Sequence, residues 1–152
     1  MIEFFYTDPA GESHADPTPD ALTRVLLEED EEYWGGSGSA MLGWFDVGAR
    51  GVTPCWDRPC LHFFRCGAAG FHFAYDTPGG ERLVTYDWSP LTPRVHHVLG
   101  GTDFFVPRAC LVSREQACRV VGDFLNDARP SNAVSWVDRD SLDFDETEGP
   151  ED

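Results

Sequence analysis

The sequence predicts an α+β fold in which two helices pack on one face of a mostly antiparallel sheet of about five to seven strands. Hydrophobic periodicity changes along the chain in the order strand, helix, several strands, helix, strand. With 152 residues, of which 41% are hydrophobic, the chain can bury the core of one domain. We predict a single domain over residues 1–138 and an acidic, flexible tail over residues 139–152. Periodicity leaves open a mixed sheet with a different strand pairing.

The N-terminal part predicts one strand and one helix. Ile2–Thr7 is rich in the aromatic and β-favouring residues typical of a strand. Thr18 and Pro19 form the pattern of a helix N-cap followed by a first-turn proline, and apolar residues then recur at helical spacing. We predict a helix from Pro19 to about Tyr33, ended by the glycine-rich residues 35–38.

The middle of the chain predicts strands joined by short turns. Glycine-containing turns at residues 66–70 and 77–80 separate alternating apolar runs, which is typical of an antiparallel meander. The predicted strands are Ala40–Val47, Leu61–Arg65, Phe71–Tyr75, Glu81–Asp87 and a short one at Phe104–Val106.

The C-terminal part predicts a capped helix and a last strand. Ser113 and Gln116 fit a capping box, in which each residue hydrogen-bonds the backbone of the other. The helix should run from Arg114 to about Asp127, with Pro130 and then a strand at Ala133–Val137 after it. The residues expected to form its buried apolar face are Ala117, Val120, Val121, Phe124 and Leu125.

The charge of the chain is strongly unbalanced. Asp and Glu number 27 against 11 cationic residues, which are all Arg, and the formal net charge is −16. Nucleic-acid binding needs Lys and Arg to neutralise phosphates, so this composition disfavours it. A basic protein partner is favoured instead, because a strong negative field steers cationic surfaces into encounter. The acids are concentrated in Glu28–Glu32 and in the predicted tail.

The sequence predicts a cytoplasmic protein without membrane spans. The first residues contain neither a basic region nor a long apolar run, so we expect no secretory signal, and no stretch approaches 18 apolar residues. The five cysteines are an odd number, and we expect them to be reduced thiols.

The sequence shows no catalytic pattern, and we predict that the protein is not an enzyme and uses no cofactor. Cys55, Cys60, His62 and Cys66 lack the paired knuckle spacing of a zinc site, so we predict no metal and interpret the cysteines as small apolar side chains. His96 and His97 are adjacent and would point to opposite faces of a strand, so we predict solvated loop histidines rather than a chelate.

Acidic residues next to aromatic ones provide the candidate partner-binding residues. An acidic run at the end of the first predicted helix opposes the helix dipole, which suggests a role outside helix stability. Exposed tryptophans beside acids could anchor an Arg- or Lys-rich partner. A merely solvated acidic face, with the tryptophans in the core, is the alternative. The candidates are Glu29, Asp30, Glu32, Trp34, Trp56, Asp57 and Trp88.

The C-terminal segment resembles a known family. The stretches Val112–Ala117, Val121–Leu125, Arg129–Pro130 and Val134–Trp136 are similar to the C-terminal signature of the Imm1 immunity proteins. The resemblance implies a bacterial cytosolic protein that binds the catalytic domain of a cognate polymorphic toxin. The family that it resembles is associated with toxins that include nucleic-acid deaminases and nucleases. The resemblance also implies that Phe124 and Trp136 are core residues and that no active site is carried over.

These observations together predict an immunity protein. It would occlude the active site of a basic toxin domain as a monomer in a one-to-one complex, without turnover. Two other classes stay open: a small-molecule-binding or enzymatic α+β domain whose acidity is incidental, and a self-associating structural module.

Overall fold

The computed structural model describes residues 1–149 and confirms the α+β class. Its strands are β1 (Ile2–Thr7), β2 (Ser13–Ala15), β3 (Ala40–Gly48), β4 (Gly51–Pro54), β5 (Cys60–Arg65), β6 (Phe71–Asp76), β7 (Arg82–Thr85), β8 (Arg94–Leu99), β9 (Thr102–Pro107), β10 (Leu111–Val112) and β11 (Trp136–Asp138). Its α-helices are α1 (Pro19–Glu28), α2 (Glu31–Trp34) and α3 (Arg114–Asp127).

The strands form two antiparallel sheets. The main sheet has nine strands, with the order β11-β7-β6-β5-β3-β1-β2 and with β10 on β6 and β4 on β3. The second sheet is the hairpin β8-β9. The meander that the turns predicted is present as β5-β6-β7, whereas the pairing of Arg94–Leu99 with β9 was not predicted.

One face of the main sheet forms the core with the helices. Antiparallel pairing places residues of neighbouring strands side by side on the same face. One such row across four strands is Tyr6, Leu42, Leu61 and Tyr75. This row belongs to a single buried cluster that includes Leu22 and Leu26 of α1 and Val121 and Phe124 of α3.

Helix α3 forms as its sequence predicted. The Ser113 side chain accepts a hydrogen bond from the Gln116 amide, while the Gln116 side chain accepts one from the Ser113 amide. Val121 and Phe124 are buried, and Trp136 packs against the same cluster. Phe124 therefore lies in the core, as the resemblance implied, whereas Trp136 is only partly buried at the edge of the cluster.

The helix predicted over residues 19–33 is two helices. Helix α1 ends at Glu28, and the Asp30 side chain caps α2 by accepting a hydrogen bond from the Tyr33 amide at 3.0 Å. Glu31 and Glu32 therefore lie in the first turn of α2, where negative charge is favourable to the helix dipole. The prediction that the acidic run opposes the helix dipole is therefore wrong for Glu31 and Glu32.

The hairpin β8-β9 and the C-terminal segment cover part of the other face of the main sheet. Cys66, Val106 and Cys110 form a second buried cluster there, with Leu142 and Phe144 packed against it. The Arg139 guanidinium lies 4.0 Å from the Phe144 ring centroid and donates a hydrogen bond to the Phe144 carbonyl oxygen at 2.9 Å. The flexible tail predicted from residue 139 is therefore corrected for residues 139–149, while residues 150–152 lie outside the described residues.

Candidate functional site

Trp34, predicted as a partner contact, lies in the core. Its side chain is 0% exposed and packs against Tyr33, Phe63 and Phe71 at ring distances of 5.2–6.0 Å. The two-helix break turns Trp34 inward at the end of α2, which a continuous helical pattern could not reveal. The prediction that Trp34 contacts a partner is therefore wrong.

Glu29, Asp30 and Glu32 lie beside the C-terminal end of β5. Arg65, the last residue of that strand, donates a hydrogen bond from Nη1 to the Glu29 carbonyl oxygen at 3.0 Å. This bond uses the backbone oxygen of Glu29 and not its carboxylate. Among residues 1–149, no side chain of Glu28–Glu32 enters an ion pair.

Trp88 lies at the same end of the main sheet as this acidic run. Strands β5 and β7 are both antiparallel to β6, so their C-terminal ends lie at the same end of the sheet. Trp88 follows β7 by three residues. The Trp88 ring is 69% exposed, and the residue has φ = +69°, which is unfavourable for a side chain of this size. We call Glu28–Glu32 together with Trp88 the acidic end.

Trp56 and Asp57 lie at the opposite end of the sheet. They precede β5, whose six residues span roughly 17 Å at about 3.3 Å per residue. Trp56 is 71% exposed, beside the turn that joins β6 to β7. The candidate residues outside the core therefore divide between two surfaces.

A cleft of about 390 Å³ lies between the main sheet, the hairpin and the C-terminal segment. Its apolar walls include Phe64, Val84, Val106 and Phe144, and its polar walls include two histidines and two arginines. Sequence reasoning missed this site, because its walls come from segments far apart in the chain. The two histidines are His62 and His72, and the two arginines are Arg82 and Arg139.

The charged groups at one side of the cleft are paired. Arg82 donates two hydrogen bonds to the Asp76 carboxylate at 2.7 and 2.9 Å, and His62 Nε2 lies 3.1 Å from the same carboxylate. Burial acts to raise the pKa of Asp76, but the bonds from His62 and Arg82 outweigh it and hold that pKa well below its usual value. Asp76 is therefore an anion at neutral pH.

His97, predicted as a solvated loop residue, is half-buried in β8. It stacks on Phe64 with ring centroids 4.9 Å apart, and Nε2 donates to the Trp34 carbonyl oxygen at 3.2 Å. This prediction is corrected, because the unpredicted hairpin brings His97 against the main sheet. His96 points away from it and pairs with Asp103 at 2.7 Å.

The five cysteines are free thiols in the structure. Burial raises the pKa of the Cys60, Cys66 and Cys110 thiols to about 12, so these groups are neutral and poorly nucleophilic.

Asp8, Glu12 and His14 could together offer a cation three ligand atoms, which lie within 4.8 Å of one another. The Asp8 carboxylate already accepts from the Glu12 amide and from His14, at 2.9 Å each, and these bonds account for the cluster. The sequence reasoning did not identify this group.

Comparison with known protein families and with curated proteins gives no match to this chain. The Imm1 resemblance therefore stays a prediction. None of the helices over residues 1–149 has the length and apolar character needed to span a lipid bilayer.

Proposed function

We propose that this chain is a cytoplasmic immunity protein that binds a basic toxin domain and occludes its nucleic-acid-binding site. The observation that carries the proposal is the acidic end, which combines an exposed tryptophan with carboxylates that enter no ion pair over residues 1–149. An enzyme that acts on nucleic acid presents a basic groove, and such a surface is complementary to this one.

Electrostatics supports this proposal through the rate of association. The net charge of −16 gives a long-range attraction for any cationic groove, and attraction of this kind is weakened by salt. Several of the arginines bond within the chain, as Arg65 does to carbonyl oxygens and Arg82 does to Asp76. These arginines are engaged by other groups of the chain. The carboxylates of Glu28–Glu32 form no ion pair with any arginine of residues 1–149.

Trp88 supports the proposal as a contact anchor. Large exposed aromatic rings are frequent among the residues that dominate interface energies. Its backbone stays in the left-handed region while the side chain remains in solvent, and strained residues often occur at functional sites. The Tyr86 ring lies 5.3 Å from the Trp88 ring and supports it from one side.

The proposal is tested on a basic toxin domain taken from a reading frame that neighbours the gene of this protein. We would measure association and dissociation rates with the wild type, with Glu29→Gln/Glu32→Gln, and with Asp57→Asn/Glu81→Gln as a control of equal charge at the opposite end. We expect the first pair to slow association several-fold more than the second, and Trp88→Ala to speed dissociation by at least tenfold.

Different outcomes of this experiment test the immunity role and the position of the contact surface. Equal effects of the two charge pairs, or a larger effect at the opposite end, would refute the acidic end as the contact surface. Absence of binding by the wild type at micromolar concentration, with no protection of cells that express the toxin, would refute the immunity role.

A further inference from the structure

The cleft between the two sheets is not used by the proposed function. Its volume of about 390 Å³ is within the range of small-molecule pockets, which is roughly 300–1,000 Å³. Three separate parts of the fold enclose it: the main sheet, the hairpin β8-β9 and the C-terminal segment. Aromatic and aliphatic side chains supply much of its wall, which favours an apolar occupant.

His72 places a hydrogen-bond acceptor at this cleft. Its Nδ1 lies 3.1 Å from the Cys110 carbonyl oxygen. A carbonyl oxygen can only accept, so Nδ1 carries the ring proton and Nε2 presents a lone pair. The hydrogen bond of the His72 ring within residues 1–149 is the one at Nδ1, so Nε2 is open to a ligand or to solvent. Burial lowers the pKa of His72, which keeps this neutral tautomer in place at pH 7.

The charged groups around the cleft are already engaged with one another. Arg82 is bound to Asp76 through two hydrogen bonds. Arg139 donates to the Leu142 and Phe144 carbonyl oxygens and to Glu146. A charged ligand would have to compete with these bonds, whereas an uncharged one would leave them intact.

We propose that this cleft binds a small, uncharged and largely apolar molecule that donates one N–H or O–H hydrogen bond to Nε2 of His72. The ligand lies between Phe64 and Val84 of the main sheet and Val106 and Phe144 of the covering layer. None of the residues of the acidic end lines this cleft.

The test uses indole as the probe and benzofuran as its matched control. The two molecules have nearly the same shape, but benzofuran has an oxygen where indole has the N–H donor. Each is titrated into the isotope-labelled full chain while amide and methyl chemical shifts are recorded. We expect saturable shifts at Val84 and Val106, and about tenfold tighter binding of indole, as one additional hydrogen bond would give.

Two substitutions at His72 sharpen the assignment. His72→Asn can keep a donor at the Nδ1 position for the Cys110 carbonyl while it removes Nε2, so it should abolish the preference for indole. His72→Gln can place its amide oxygen near the Nε2 position and should retain part of that preference. Thermal unfolding of both variants checks that they fold.

Three results would overturn the proposal. They are equal affinities of the wild type for indole and benzofuran, absence of saturable shifts with millimolar indole, and shifts confined to residues outside the cleft. Because the wild-type comparison of the two probes is decisive by itself, instability of a His72 variant does not leave the question open.

Discussion

Replacing Trp34 with alanine should destabilise the protein strongly. The indole is fully buried and packs against the rings of Tyr33, Phe63 and Phe71. Truncating a buried tryptophan to alanine costs about 3–5 kcal/mol, through lost burial and the cavity that remains. That is a large share of the roughly 5–15 kcal/mol by which a domain of this kind is stable.

The Trp34 indole N–H separates packing from hydrogen bonding in this prediction. Nε1 is buried and has no hydrogen-bond partner among residues 1–149. Trp34→Phe would remove that unpaired donor and keep one aromatic ring, so we expect a loss of about 1–2 kcal/mol, well below that of Trp34→Ala. A loss for Trp34→Phe as large as that for Trp34→Ala would contradict this prediction.

Urea unfolding, followed by circular dichroism, measures these differences. Trp88→Ala is the matched control, because its ring is 69% exposed and its removal should change stability by no more than about 0.5 kcal/mol. Binding to the toxin domain should show the reverse order, with Trp88→Ala the more damaging. An unchanged unfolding midpoint for Trp34→Ala would refute the two-helix arrangement that buries this residue.

The remaining predictions concern the α3 helix, the C-terminal segment and the Asp76 ion pair. Phe124→Ala should cost about 3–5 kcal/mol of unfolding free energy as a core truncation, and Ser113→Ala about 1 kcal/mol as a lost cap, both measured in urea. Phe144→Ala should cost about 2 kcal/mol, because it removes the ring that packs on the second cluster and under Arg139; an unchanged midpoint would show that the segment does not dock. Asp76→Asn should destabilise the protein at pH 7, and its difference from the wild type should shrink as the solution is made strongly acidic. Because folding lowers the Asp76 pKa, the contribution of the ionised carboxylate is complete above the usual aspartate pKa of about 3.9, declines below it, and is lost only as pH falls through the much lower pKa of the folded state. A difference that does not change with pH would contradict this.

Local signals in the sequence were sufficient for much of the fold. Helix α3 begins and ends where its capping box and apolar spacing placed it, and β1 has the predicted bounds. The β5-β6-β7 meander also follows from alternation and turns. Each of these features depends on residues close together in the chain, which is the range over which periodicity and capping act.

The errors arose where long-range packing decides the structure. The helix break at Glu29 and Asp30 carries no proline or glycine, and the Asp30 cap was hidden within a run of acids. Strand β8 pairs with β9 and with no strand of the main sheet over residues 1–149. Phe144 packs against a cluster whose residues are far from it in the sequence. The cleft at His72 is assembled from the same distant segments, so no local pattern could have indicated it.

A stoichiometric inhibition assay tests the proposed immunity function most directly. The toxin domain that we propose as the partner is held at a fixed concentration well above the dissociation constant, and its activity on nucleic acid is measured as this protein is added. We predict that activity falls linearly and reaches the baseline at one equivalent, because one chain occludes one active site. Undiminished toxin activity at ten equivalents would contradict the proposed function.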